Sequence, residues 1–149
     1  KPSNILVGAA AGGRRFSLVD LGLTAPFGEP LIGGTPAYLP RPIPAAPGAD
    51  ADLFALGLVV AGCVDARVAA VLAATGDPEE AVKTWFFERR PPEPLSLALS
   101  LLLAAEPSQR PSAAALAARF APAAFASPAT ADVVPQEDRV ARAWLSFAA

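Results

Sequence analysis

The chain has 149 residues, with 12 Lys and Arg against 14 Asp and Glu, a formal net charge of −2. That near balance, with no long basic run, gives no electrostatic footing for nucleic acid or an anionic membrane. There is no His and one Cys, so imidazole catalysis, His-based metal sites and an internal disulfide are all excluded.

Hydrophobic residues make up 53% of the chain, much of it Ala, which is enough for one domain with a real core. Cys63 lies in an apolar run and is expected to be a small buried hydrophobe. The longest apolar runs, Leu53–Val64 and Leu95–Ala105, fall short of the roughly 20 residues needed to span a bilayer. They read as core helices, so no membrane segment is expected in this chain. A chain that opens on Lys1 and contains no Met reads as a fragment or a processed product. No secretory signal pattern is seen in it, and a cytoplasmic location is the expectation.

In chain order, Asn4–Gly8 and Arg15–Asp20 are short, branched and apolar. They flank the Gly/Ala-rich stretch Gly8–Gly13, which predicts a β-hairpin with a loop longer than the tight two-residue kind. Leu21–Gly48 is rich in Pro and Gly without periodicity and reads as an ordered, irregular segment. Helical pattern begins at Ala49. Asp50 or Asp52 could cap Leu53–Val64, which is apolar nearly all round and therefore buried. A second helix is expected over Asp65–Thr75, broken by Gly76-Asp77-Pro78.

Pro78–Arg89 predicts a third helix, with Asp77 as its cap, Pro78 at its first position and Glu79 and Glu80 in its first turn. Arg90–Pro94 is a hard stop. Leu95–Ala105 is a further apolar helix, and after the turn Glu106–Pro111, Ser112 caps Ala113–Phe120. Residues 121–135 shift to Ala, Pro, Ser and Thr, a linker composition. In 136–149, Val140, Trp144 and Phe147 would share one face of a short amphipathic helix. The fold class is thus mainly α: a short hairpin, then a helical bundle.

Lys1-Pro2-Ser3-Asn4-Ile5-Leu6-Val7 and Leu18-Val19-Asp20-Leu21-Gly22 put an ammonium, a carboxamide and a carboxylate on the two hairpin runs. Lys offers a point charge to phosphate, and Asn and Asp offer hard oxygens to a hard cation. Together they resemble the catalytic and metal-binding loops of the protein kinase family, in the bacterial-type Ser/Thr style. Three further stretches carry the same resemblance in the same order. Gly33-Gly34-Thr35-Pro36-Ala37-Tyr38-Leu39 is similar to the substrate-docking loop, and Asp52-Leu53-Phe54-Ala55-Leu56-Gly57 to the start of the central helix. Leu101–Ala105 with Glu106-Pro107 and Arg110-Pro111-Ser112 is similar to the late helix pair. The resemblance spans residues 1–120 and implies a kinase C-terminal lobe that begins inside the catalytic loop, with the N-terminal lobe as a missing partner.

By that resemblance Lys1 touches the transferring phosphate, while Asn4 and Asp20 hold magnesium with ATP. Thr35 marks Ser/Thr specificity, and Asp52 and Arg110 are structural. The plainer readings of the first five are a surface Lys, a turn Asn, a strand-end carboxylate, a turn Thr and a helix cap. Two departures stand out. Leu39-Pro40-Arg41-Pro42 replaces the family's Ala-Pro-Glu, whose acid would pair with Arg110; Glu106 or Asp50 could substitute. The family's catalytic Asp, two residues before Lys1, lies outside this sequence, as do its glycine-rich loop and strand Lys. The functions implied are a Ser/Thr kinase acting on protein hydroxyls with ATP or, alternatively, a pseudokinase serving as a binding module. Trp85-Phe86-Phe87 reads as core packing.

Overall fold

In a computed structural model, the described residues are 1–11, 13–88 and 94–120. The expected hard stop falls largely, and the linker and terminal helix entirely, outside them. The chain divides into two units between Arg119 and Phe120, and the first of them carries the hairpin, the irregular segment and the helical core.

The architecture is mainly helical with one antiparallel hairpin. Strand β1 (Ile5–Ala10) pairs with β2 (Gly13–Leu18) in a register that sets Ile5 opposite Leu18 and Val7 opposite Phe16. Pairing runs through Ala10 and Gly13, leaving only Ala11 and Gly12 between the strands. The connection is therefore of the tight two-residue kind, not the longer loop expected. The Gly/Ala content of Gly8–Gly13 masked this, because small residues near a turn look like loop yet extend without steric cost.

Asn4 belongs to a single 3-10 turn, Pro2–Asn4, ahead of β1. A second 3-10 turn, Pro36–Tyr38, interrupts the irregular segment. Across the base of that segment the Leu31 N–H donates to the Ala45 carbonyl at 3.1 Å.

Helix α1 runs Ala49–Val64 from an extended Gly48. It starts at Ala49, where the helical pattern begins, but Gly48 is its cap, so Asp50 and Asp52 lie in its first turn and not at its cap. There they complement the positive end of the helix dipole. Asp65 ends α1, its N–H donating to the Ala61 carbonyl at 2.8 Å, and its carboxylate caps α2 (Ala66–Thr75), accepting the Arg67 N–H at 2.9 Å and the Arg67 guanidinium. Gly76 closes α2 in the left-handed conformation, φ 63°, where a Cβ would be unfavourable. Helix α3 (Pro78–Glu88) is capped as expected, with Asp77 accepting the Glu79 N–H at 2.9 Å.

Helix α4 spans Leu95–Leu102, ending before the expected Ala105. The carbonyls of Ala104 and Ala105 are engaged instead by the Arg110 guanidinium. Ser112 accepts the Ala115 N–H at 3.1 Å and caps α5 (Ala113–Phe120).

The core is built on α1. Phe54, Leu58 and Ala61 pack with Val68 and Leu72 of α2, Ala81 and Trp85 of α3, and Leu99 of α4 with Leu103 just beyond it. Trp85 fulfils the packing role expected of it, while Phe86 is 45% exposed. At Gly57 the helices come into near-backbone contact: an added Cβ would lie 2.9 Å from the Leu102 Cβ. Burial of α1 is less complete than its composition suggests, since Leu56, Val64 and Cys63 are exposed. Cys63 is therefore not the buried hydrophobe expected; it lies near the exposed C-terminal end of the helix.

Candidate functional site

The hairpin turns the two polar-tipped runs toward each other. The Val19 N–H donates to the Asn4 carbonyl at 3.0 Å, and the Asn4 N–H to the Lys1 carbonyl at 3.0 Å. The first bond extends the ladder past Ile5 and Leu18, the second closes the 3-10 turn, and together they bring Lys1, Asn4 and Asp20 to one end of the sheet. The Lys1 ammonium lies 3.9 Å from an Asp20 carboxylate oxygen. Both side chains are well exposed, so the contact adds little stability; it reports proximity.

Asp20 is the only non-glycine residue with positive φ among those described, at 62°. Asp tolerates this region better than most residues, but its backbone there is less stable than in β or α conformations. Such positions concentrate at sites where a side chain must be aimed. Asn4 is half-buried, and its side-chain oxygen accepts only a long contact from the Ser3 hydroxyl, 3.5 Å.

An exposed carboxylate and a half-buried carboxamide are oxygen donors of the kind magnesium takes, since it keeps several waters and uses few protein ligands. No group of three or more His, Cys, Asp or Glu side chains poised for a metal occurs among the described residues. Asn4 and Asp20 by themselves form no all-protein cage, and a metal there would need a ligand's own oxygens as well.

The other expected site residues are placed apart from this cluster or beside it. Thr35 precedes the 3-10 turn, where its carbonyl accepts the Tyr38 N–H at 2.9 Å and its hydroxyl makes no capping bond. Ala37 and Tyr38 pack against the core. The Tyr38 phenol is shifted upward by burial, and secondarily by the negative charge Cys63 would carry. Asp52 is exposed on the first turn of α1. Burial lowers the pKa of the Lys1 α-amino group, the Lys1 side-chain charge adds to this, and Asp52 opposes it. Asp52 thus lies within electrostatic reach of the backbone at residue 1.

Arg110 is buried and fully engaged. Its Nε donates to the Ala104 carbonyl at 3.0 Å and Nη2 to the Ala105 carbonyl at 3.2 Å, while Nη1 meets an Asp50 carboxylate oxygen at 3.2 Å. The guanidinium carbon stands 4.9 Å from the Phe54 ring centre, within cation–π range. Burial pulls its pKa down, against the charges of Asp50 and, secondarily, Glu106. Of the two acids the sequence offers, Asp50 is therefore the one that bonds Arg110. Sequence reasoning could only offer it beside Glu106, because the two stand 56 residues apart and nothing local distinguishes them.

Among the described residues no helix is long and apolar enough to cross a membrane. Compared with protein-family models, curated proteins and solved structures, the chain gives no match.

Proposed function

We propose that the chain is the C-terminal-lobe portion of a bacterial-type Ser/Thr protein kinase, whose intact parent transfers the γ-phosphoryl group of ATP to protein hydroxyls with magnesium. The observation that carries this reading is the meeting of Lys1, Asn4 and Asp20 at one end of the hairpin, with Asp20 in the left-handed region. Magnesium bound with ATP would supply neutralisation of the phosphate charge. Asn4 and Asp20 would hold the metal, Lys1 would face the phosphate, and Thr35 would carry the docking segment's hydroxyl. Asp52 and Arg110 would be structural.

The groups the kinase family draws from farther upstream are not among these 149 residues, so the chain alone should show no autophosphorylation. The binding half of the proposal can be tested directly. Titrating magnesium with ATP against the chain should shift the amide resonances of Asn4 and Asp20. The Asp20→Asn variant removes the charge while keeping a side chain that tolerates positive φ, and it should weaken that response about tenfold or more. A response unchanged by the substitution would eliminate the metal role.

A second reading, a pseudokinase used as a binding module, is favoured by Pro42 and by Arg110. The family's acid is absent from its place, and Arg110 is satisfied without it. The residue two places before Lys1 in the parent discriminates: Asp favours catalysis, whereas Ala, Asn or Gly favours the scaffold.

A further inference from the structure

We propose that residues 31–45 form a self-closed loop whose seat on the helices is set by its own bonds and by Tyr38, independently of the buried Arg110–Asp50 pair. Four observations carry this. The Leu31 N–H bonds the Ala45 carbonyl and closes the loop at its base. Inside it, the Tyr38 N–H bonds the Thr35 carbonyl and the Leu39 N–H bonds the Pro36 carbonyl. Gly34 and Leu39 approach so closely that a Cβ at 34 would lie 3.3 Å from a Leu39 methyl. The guanidinium of Arg110 meanwhile bonds Ala104, Ala105 and Asp50, all outside residues 31–45, while Arg41 and Pro42 are exposed.

The ion pair therefore fastens the start of α1 to the turn after α4, and the loop is a separate closure resting on α1 through Ala37 and Tyr38. No added charge is needed to set the loop. Thr24, the only hydroxyl residue between Gly22 and Gly33, already donates to the Leu21 carbonyl at 2.7 Å. The inference holds whether or not the chain derives from a kinase.

Residue-resolved hydrogen exchange on the full chain tests it. In Asp50→Ala, exchange should quicken about tenfold or more at Ala51 and Leu103, near the two ends of the ion pair, and stay within about twofold at Leu31, Tyr38 and Leu39. Leu31→Pro removes the closing donor and should do the reverse, freeing Tyr38 and Leu39 while Ala51 and Leu103 hold. If either variant quickens both groups by the same factor, the loop and the ion pair are one unit and the proposal is overturned. Should both variants fail to fold, exchange of the unmodified chain in graded sub-denaturing urea decides. Leu31 and Tyr38 must open at lower urea than Leu103, and joint opening overturns the proposal.

Discussion

Arg110 shows why a buried charge is better understood by its full set of partners than by a single ion pair. Three backbone carbonyls, those of Ala104, Ala105 and Asp50, and the Phe54 ring share the guanidinium with the Asp50 carboxylate, and the Asp50 side chain is one-third exposed. Asp50→Ala should therefore cost only about 1–3 kcal/mol, since water can reach the vacated position. Arg110→Ala should cost more, because it leaves those carbonyls without their donor and opens space over Phe54. Urea midpoints with unchanged slopes would check the ordering. Equal losses would mean the carbonyl bonds contribute nothing. At this scale the sequence was partly legible. It marked Arg110 as a residue in need of an acid, and it offered Asp50 as one of two choices. It carried no sign that Asp20 would adopt positive φ, which is set by how the strand ends and not by residue type alone.

Among the elements, the helices with strong local chemistry were readable almost to the residue. Asp77-Pro78-Glu79-Glu80 and Ser112 are capping signals whose bonds form as expected. Boundaries failed where tertiary partners decided them. Helix α4 stops at Leu102, with Arg110 bonding the Ala104 and Ala105 carbonyls beyond it, and Gly48, not Asp50 or Asp52, caps α1. Gly57 was visible only as part of a motif; its packing role needs the geometry of two helices. Gly57→Ala would drive a methyl against Leu102 and Leu103. We expect a destabilisation of about 1–3 kcal/mol despite the better helix propensity of Ala, read from thermal or urea unfolding. A neutral or stabilising result would show that α1 and α4 can move apart freely.

Over the whole first unit, burial is uneven. The helices share one core, but in the hairpin only Ile5 and Ser17 are even half-buried. Val7, Phe16 and Leu18 are all more than half exposed, as are Leu21, Leu23, Phe27 and Ile32 in the irregular segment after it. A two-stranded sheet with so little covering it is marginal in water. Heating should accordingly produce two transitions. Strand amides followed by NMR should lose structure below the temperature at which helical circular dichroism falls, and coincident curves would refute this.

Since Lys1, Asn4 and Asp20 are positioned by those same strands, their arrangement inherits the hairpin's weak hold. If the ribbon fluctuates as its low burial predicts, any ligand that joins them must first order it, and that ordering entropy will be subtracted from its affinity. A mild stabilising osmolyte should thus tighten binding at this end of the molecule before it changes anything in the helices.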